Sequence, residues 1–365
     1  MAKKAAKLSD KALRELMADI KSTTSVTRSN IQFLNTGSTL VNIGLSGRWD
    51  GGWPLGGYNL IAGGSGSGKT LLTLATLAEA ANDPRFDEYE LIYDGPEGGA
   101  LFDMAKMYGS KLVARMAAPC RGISYKIEEF YANLRAHAAT ERPFVWVLDS
   151  MDSLSSDQEQ GVNEENDRRV LVGDDLQGSY GDGKARTNSQ NIRTIMEFLV
   201  RSNSLLIIIC QTRDSLGGTF SESVYSGGRA LRFYADCRMW TADVGQIKKT
   251  VKGHDVTMGN HMKVKVDKNR VRGRKFDVEI PLYNHIGVDD IGSLVDYLVE
   301  YKRWAATAGN ITAKDLNVEG MPRDHFIQYL ESCDYGDEVR LIAQEHWLEM
   351  EAAAAATVVR KPRYE

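Results

Sequence analysis

Cysteine and proline are scarce in this chain, with four Cys and eight Pro among 365 residues. Cys120, Cys210, Cys237 and Cys333 lie far apart and in no C-x-x-C spacing. That argues against a structural zinc site or a disulfide framework and fits a reducing compartment. No run approaches the roughly 18 apolar residues of a membrane span. The opening MAKKAAKLSDKALREL lacks the apolar segment of a secretory signal, so a cytoplasmic chain with no membrane partner is expected. An excess of one charge is also missing: 45 Lys+Arg stand against 49 Asp+Glu, a net charge of -4. Nothing global attracts a polynucleotide, and any such site has to be a local patch.

What is present is a repeating pattern. The length allows one large core with appendages, because single cores stop growing below about 300 residues. Leu8, Ala12, Leu13, Leu16, Met17 and Ile20 fall at helical spacing, followed by the polar linker KSTTSVTRSN. Such a helix either folds back on its own domain or docks on a neighbouring subunit. From residue 58 onward, short apolar strands (58–62, 90–94, 144–149, 205–210) alternate with helical segments (69–82, 127–139, 189–202). Apolar runs alternating with helices predict an α/β fold whose mostly parallel sheet is covered on both faces, with ligands at the carboxyl ends of the strands. After residue 236 come CRMWTADV, MKVKVDKN and FDVEIPL without intervening helices, which predicts an antiparallel extension. Residues 288 to about 356 read as a small C-terminal α-rich module. The expected division is 1–30 as an oligomerisation arm, 31–285 as the core and 286–365 as that module.

The turn GGSGSGKT carries the clearest chemistry. Gly63, Gly68, Lys69 and Thr70 satisfy G-x-x-x-x-G-K-[ST], directly after an apolar strand and before TLLTLATLAEAA. Glycines let the backbone N–H groups of Gly63, Gly64, Ser65, Gly66, Ser67, Gly68, Lys69, Thr70 and Leu71 curl around phosphates, and the helix N-terminus adds partial positive charge. Lys69 is expected to reach the terminal phosphates of ATP and the Thr70 hydroxyl to meet Mg2+. Asp149, closing the strand FVWVLD, is the expected second metal carboxylate, or else a strand-end cap. Hydrolysis needs a group that orients or deprotonates water. Glu97 is favoured because two glycines follow it, with Asp94 as the alternative and a solvated turn as the bland reading of both.

The segment CQTRDSLGGTFSESVYSGGRALRFYADCRMW, Cys210 to Trp240, separates one class of phosphate-binding protein from the rest. A Gln ending the strand, a Gly/Ser-rich loop and then GG-x-AL-[KR]-FYA resemble the RecA family of DNA recombinases, in the manner of bacteriophage UvsX-type members. The resemblance extends through NTGSTLVNIGLSGRWDGGWPLGG and KVKVDKNRV and covers roughly residues 8 to 300. It implies a RecA-like core and a DNA-dependent ATPase. It also implies a helical homo-oligomer on single-stranded DNA and strand exchange with double-stranded DNA, in a bacterial or phage-infected cytoplasm. Single-strand-binding and mediator proteins would be partners.

The resemblance also assigns residues. Gln211 would sense the γ-phosphate and relay it to a DNA loop, 212–228, carrying Arg213, Leu216, Phe220, Gly227 and Gly228. Leu216 would be an apolar wedge between bases, or a residue tucked into the core. The other DNA loop would follow the Asp149 strand, SSDQEQGVNEENDRRVLVGDDLQGSYGDGKARTNSQ, which is polar and too long for an ordinary connector. Lys184 and Arg186 are its candidate phosphate contacts, or simply solvated. Lys268 and Arg270 would stabilise phosphoryl charge on the ATP of the next subunit, and Phe233 would lie at that interface. Lys263 and Lys265 would hold an incoming duplex, or be plain solvated charge.

Two departures stand out. DGPEGG has one residue more before its glutamate than the usual family turn. Residues 319–351 hold nine acidic side chains against Arg323 and Arg340, yet the chain runs on to VVRKPRYE, which is basic. The competing functions are a ring-forming helicase-type motor and a nucleotide-gated recombination mediator with a vestigial ATPase. Phe102 and Asp103 are near enough in sequence to be considered for adenine.

Overall fold

A computed structural model of the chain describes residues 31–98, 102–172, 175, 182–213, 224–225 and 228–357. The helix expected at 8–21 lies outside these residues, as do Leu216, Phe220 and Gly227.

The described chain opens with elements that the sequence reading did not place, β1 Phe33–Leu34, α1 Thr39–Ser46 and β2 Trp53–Pro54, and the first of the expected apolar strands follows as β3 Gly57–Gly63. Next come α2 Lys69–Asn82, β4 Glu90–Asp94, α3 Met104–Tyr108, α4 Ser110–Arg115 and β5 Met116–Ala117. These are followed by α5 Ile127–Ala138, β6 Phe144–Leu148, α6 Asp157–Val172, α7 Asp182–Ser202, β7 Leu205–Arg213, β8 Val224–Tyr225 and α8 Gly228–Tyr234. The large sheet runs β12–β11–β10–β9–β3–β7–β6–β4–β5, where β9 is Cys237–Val251, β10 His254–Asn269, β11 Phe276–Tyr283 and β12 Gly287–Val288. Pairs from β9 through β3 to β5 are parallel, and β9 to β12 form the antiparallel extension.

Alternation explains why β3 and β7 are apolar throughout. Tyr58, Leu60, Ala62, Leu206, Ile208 and Cys210 pack into one cluster with α5, α7 and α8. Ile61, Leu205, Ile207 and Ile209 face the other, with α2. Strands buried on both faces have no polar face to show. The β9–β10 connection is a two-residue turn with Lys252 at φ 52° and Gly253 at φ 80°, the positive pair that suits the twist of a hairpin.

One expectation needs correction. The stretch after β6 reads as a loop, but Asp157–Val172 is helical and the next helix starts at Asp182. Apart from Val162, helix α6 is without apolar side chains until its last turn, Val170–Val172, so it has no sustained apolar stripe to read. It is instead supported by pairs such as Arg169 with Glu165 at 3.4 Å. The C-terminal module is α-rich as expected and also holds a small sheet. Between α9 Asp290–Glu300 and the pair α10 Arg323–Ser332 and α11 Gly336–Ala356 lies a three-stranded sheet, β13 Ala305–Thr307, β14 Asn310–Ala313 and β15 Val318–Pro322. Its first turn has Ala308 at φ 49° and Gly309 at φ 80°.

The C-terminal elements share a hydrophobic cluster with Leu40 and Ile43 of α1. Polar pins fix this contact. Asp290 accepts from the Thr39 amide at 2.7 Å and hydroxyl at 2.9 Å, and pairs with Arg340 at 3.1 Å. Arg272 forks onto Glu351 at 3.1 and 2.5 Å. Burial, with Asp290 close by, raises the Glu79 carboxyl to about 7. Replacing Asp290 by Ala strands the Thr39 amide and the Arg340 guanidinium, at a cost on the order of 2–3 kcal/mol. The expected result is a melting temperature lower by several degrees in calorimetry, with Asp290→Asn intermediate.

Candidate nucleotide and polynucleotide site

Strand β3 delivers the glycine turn to a crowded place. Gly63 pairs with Gln211 of β7 on one side and Thr241 of β9 on the other, and a Cβ on it would lie 2.3 Å from Thr241 Oγ1. Gly68 sits at φ 86°, and its Cβ would lie 2.3 Å from Leu282 Cδ1. Glycine is thus required twice by packing, whereas Gly64 and Gly66 border open space on the exposed rim with Ser65. Ser67 Oγ bonds the Gly64 carbonyl at 2.8 Å and Thr241 Oγ1 at 2.8 Å. The Lys69 ammonium donates to the carbonyls of Gly63 at 2.9 Å and Gly64 at 2.6 Å. Burial pulls it below its usual range, against the opposing pull of Asp149, Glu97 and Asp152. Leu71 packs at the edge of the core, and its carbonyl accepts from the Tyr108 hydroxyl at 2.9 Å.

The Thr70 hydroxyl donates to Asp149 Oδ2 at 2.7 Å, and the Tyr93 phenol donates to the same oxygen at 2.8 Å. Burial raises the Asp149 carboxyl, partly offset by these two donors. It also drives the Tyr93 phenol up, which keeps it a donor. Among the described residues no group of three or more His, Cys, Asp and Glu could hold a metal alone. One hydroxyl beside one carboxylate fits a hard cation that completes its shell with water and phosphate oxygens, which is how Mg2+ behaves.

The two carboxylates after β4 part company. Asp94 is fully buried and accepts from the Ser124 amide at 2.9 Å and hydroxyl at 2.7 Å, away from the glycine turn. Burial raises its carboxyl to about 6. Glu97 faces the site: its Oε1 accepts from Ser150 Oγ at 2.7 Å, Ser153 Oγ at 2.6 Å and Gln211 Nε2 at 3.0 Å. Burial alone would raise the Glu97 carboxyl, but the hydroxyls of Ser153 and Ser150 and the Gln211 amide together hold it below its usual range. Lys69, Thr70, Asp149, Glu97 and Gln211 are therefore gathered at the carboxyl ends of β3, β4, β6 and β7. The sequence reading missed Tyr93, Ser150, Asp152 and Ser153. Strand alternation holds the signal for Tyr93, since it must face opposite to Asp94.

Past Gln211, the backbone of Thr212 and Arg213 pairs antiparallel with Tyr225 and Val224, pinning the base of the following segment. Gly228 opens α8 at φ 79°, where a Cβ would lie 2.7 Å from Ala185 Cβ, so its absence of side chain serves helix packing. Arg186 is exposed and borders a cleft with Arg229, a basic residue the sequence reading passed over. Lys184 is turned inward, 16% exposed, near Glu159 at 3.9 Å. Lys263 and Lys265 point away from the buried Met262, Val264 and Val266, and Lys263 pairs with Asp277 at 3.1 Å. Asp103 caps α3 through the Lys106 amide at 3.0 Å, and Phe102 lies exposed 6.3 Å from the Tyr108 ring.

Lys268 and Arg270 stand elsewhere. Lys268 Nζ donates to the carbonyls of Arg232 at 3.0 Å and Phe233 at 2.6 Å, and Arg270 donates to that of Phe233 at 2.9 Å and to Asp236 at 3.3 Å. The two cations cap the negative end of α8. Burial, then Arg270 and Arg238, lower the Lys268 ammonium to about 8. The Arg270 amide bonds the Asp236 carbonyl, and the Asp236 amide bonds that of Tyr58. Tyr58 is five residues before Gly63, so this cation pair lies on the order of 16 Å up-strand of the glycine turn. Phe233 is 66% exposed beside it.

The serine donors make a checkable statement about Glu97. In the nucleotide-free protein, a Ser150→Ala/Ser153→Ala double variant should move the Glu97 titration to higher pH in carboxyl-carbon NMR. A titration left in place would mean that these hydroxyls do not set its charge.

The family model of the RecA N-terminal domain matches residues 167–289. Protein RecA of Chlorobium limicola is 30% identical over 280 residues, 74% of this chain and 70% of that protein. Protein RecA of Colwellia psychrerythraea is 28% identical over 287 residues, 76% and 72% of the two chains. Protein RecA of Brucella suis is 31% identical over 274 residues, 73% and 66%. An α/β sheet of this topology, a glycine turn seated between Gln211 and Thr241, and identity of this extent together make the chain a member of the RecA family of recombinases.

Proposed function

We propose that the chain binds ATP with Mg2+ at the 63–70 turn, assembles as a helical homo-oligomer on single-stranded DNA, and pairs that strand with a homologous duplex while hydrolysing ATP. One observation carries the reading. Gln211 lies beside Gly63, its amide reaches Glu97, and its strand runs straight on into the pinned base of the segment 214–223. An amide shared between a catalytic carboxylate and the root of a DNA-binding segment is placed to report nucleotide occupancy to that segment.

The residues divide the work. Lys69 and the backbone of the turn hold the terminal phosphates, and Thr70 and Asp149 hold the metal, which when bound draws charge off the phosphate oxygens. Glu97, kept ionised by Ser150, Ser153 and Gln211, takes a proton from water or orients it. Arg213, Leu216, Phe220, Gly227, Arg186 and the exposed Arg229 belong to the polynucleotide surface in this reading. Lys263 and Lys265 offer a weaker duplex contact, tempered by Asp277 and Glu279 on the neighbouring strand. Residues 1–30 act as the oligomerisation arm, 31–285 as the catalytic core and 286–365 as an appended module. Single-strand-binding and mediator proteins are the expected further partners.

Lys268, Arg270 and Phe233 act between subunits. Their distance from the turn of their own chain leaves only a neighbour's ATP within reach. Loss of turnover in Lys69→Ala and in Arg270→Ala should therefore be complementary: a mixture of the two proteins regains part of the DNA-stimulated rate, because some interfaces combine two intact halves. No recovery on mixing would count against a shared site.

The whole reading is tested by ATP turnover with and without single-stranded DNA, by joint-molecule formation, and by imaging. Stimulation, pairing and open helices are expected, whereas closed rings or an unstimulated, non-pairing protein would reject it. Glu97→Gln should lower turnover by roughly 10²–10⁴-fold while nucleotide binding persists.

A further inference from the structure

The three-residue turn Met151–Ser153 after β6 does more than supply the Ser153 hydroxyl to Glu97. Its middle residue, Asp152, makes two unrelated contacts. Asp152 Oδ2 accepts from the backbone N–H of Gln211 at 2.6 Å, and the Asp152 carbonyl accepts from Lys184 Nζ at 3.4 Å. Lys184 sits on the first turn of α7 and also approaches Glu159 on the first turn of α6 at 3.9 Å. Glu159 in turn accepts from the Ser156 amide at 3.0 Å, at the start of that helix. The other carboxylate oxygen, Asp152 Oδ1, is buried with no hydrogen-bond partner among the described residues. A buried acceptor without a partner is destabilising. A side chain held in place at that cost, beside a phosphate site, calls for a role other than stability.

We propose that Asp152 is a positioning residue that couples the strand end at Gln211 to helices α6 and α7, with Lys184 as the latch on α7 and not a contact to DNA phosphate. The proposal rests on the reading of Gln211 as the nucleotide-responsive amide. Within four consecutive residues, Ser150 and Ser153 hold Glu97 and Asp152 holds the Gln211 backbone. Any shift of Glu97 or Gln211 toward a bound phosphate therefore moves the turn as one piece. The carbonyl of Asp152 moves with it, and the 3.4 Å contact to Lys184 is the longest of the turn's own links and the first of them to break. Occupancy thus leaves the site by two routes, one along β7 and one through this turn into the helices that follow β6. Lys184 fits a latch better than a phosphate contact because its ammonium faces a carbonyl and a carboxylate, where a phosphate contact would stand open to solvent.

Hydrogen exchange at residues 182–190 tests this in the full chain without DNA, with and without a non-hydrolysable ATP analogue and Mg2+. In the wild type, nucleotide should change exchange there several-fold. Asp152→Ala should lose the response while still binding the analogue, and Asp152→Asn, which keeps the acceptor, should retain it. Lys184→Met should lose it as well, which covers the case of an Asp152→Ala protein that does not fold. A wild type without a response, or an Asp152→Ala or Lys184→Met protein with the full response, overturns the coupling. The salt dependence of single-stranded DNA affinity decides the role of Lys184. An unchanged slope in Lys184→Met supports the latch, and a slope smaller by about 1 marks a lost phosphate contact and rejects it. A protein that binds no DNA would defeat the proposed function while leaving the exchange result to stand or fall alone.

Discussion

A buried ammonium bonded to the carbonyls of its own turn organises this end of the molecule. Lys69 is 7% exposed and spends its donors on Gly63 and Gly64. Taking a cation out of water is costly unless its charge is answered, and three carboxylates within electrostatic range answer it here. The arrangement keeps the turn closed on itself yet leaves the lysine with weaker partners than a phosphate would be. Everything else at the strand ends is spaced from that point: Thr70 on Asp149, Glu97 among its serines, Gln211 level with Gly63.

The sheet makes such crowding feasible. Parallel strands bring β3, β4, β6 and β7 to the same edge, and the antiparallel half adds a wall instead of further ligands. Thr241 and Leu282 come from that half and fill the spaces where side chains on Gly63 and Gly68 would otherwise go. The shape of the glycine turn therefore depends on side chains from the antiparallel half. The C-terminal module is fastened to α1 through Asp290 and to Arg272 through Glu351.

How far the sequence could be read depends on how local each signal is. The glycine turn was legible because its chemistry lies in eight consecutive residues, and the buried strands because two covered faces leave unbroken apolar runs. Helix α6 was not, since a helix with Glu165 paired to Arg169 and no apolar stripe looks like a loop. Strands β13 to β15 were missed for the opposite reason: the three to five residues of each, AAT, NITA and VEGMP, carry too little alternation to register. At the site, Asp94 and Glu97 could be weighed only as neighbours in sequence, and the burial of Asp94 against Ser124 is a long-range fact. Lys184 looked like free charge beside glycines, and only the fold turns it toward Asp152.

The placement of Lys268 and Arg270 at one end of β3 and the phosphate turn at the other has a consequence for any assembly built through them. A contact between unlike surfaces sets one face of a subunit against a different face of the next, so subunits add head to tail, and an open chain leaves one face of each kind unmatched at its ends. One terminus of such a chain always offers a phosphate cradle awaiting its cations, and the opposite terminus a cation pair with nothing to neutralise. The two tips are then chemically distinct, and growth has a built-in direction.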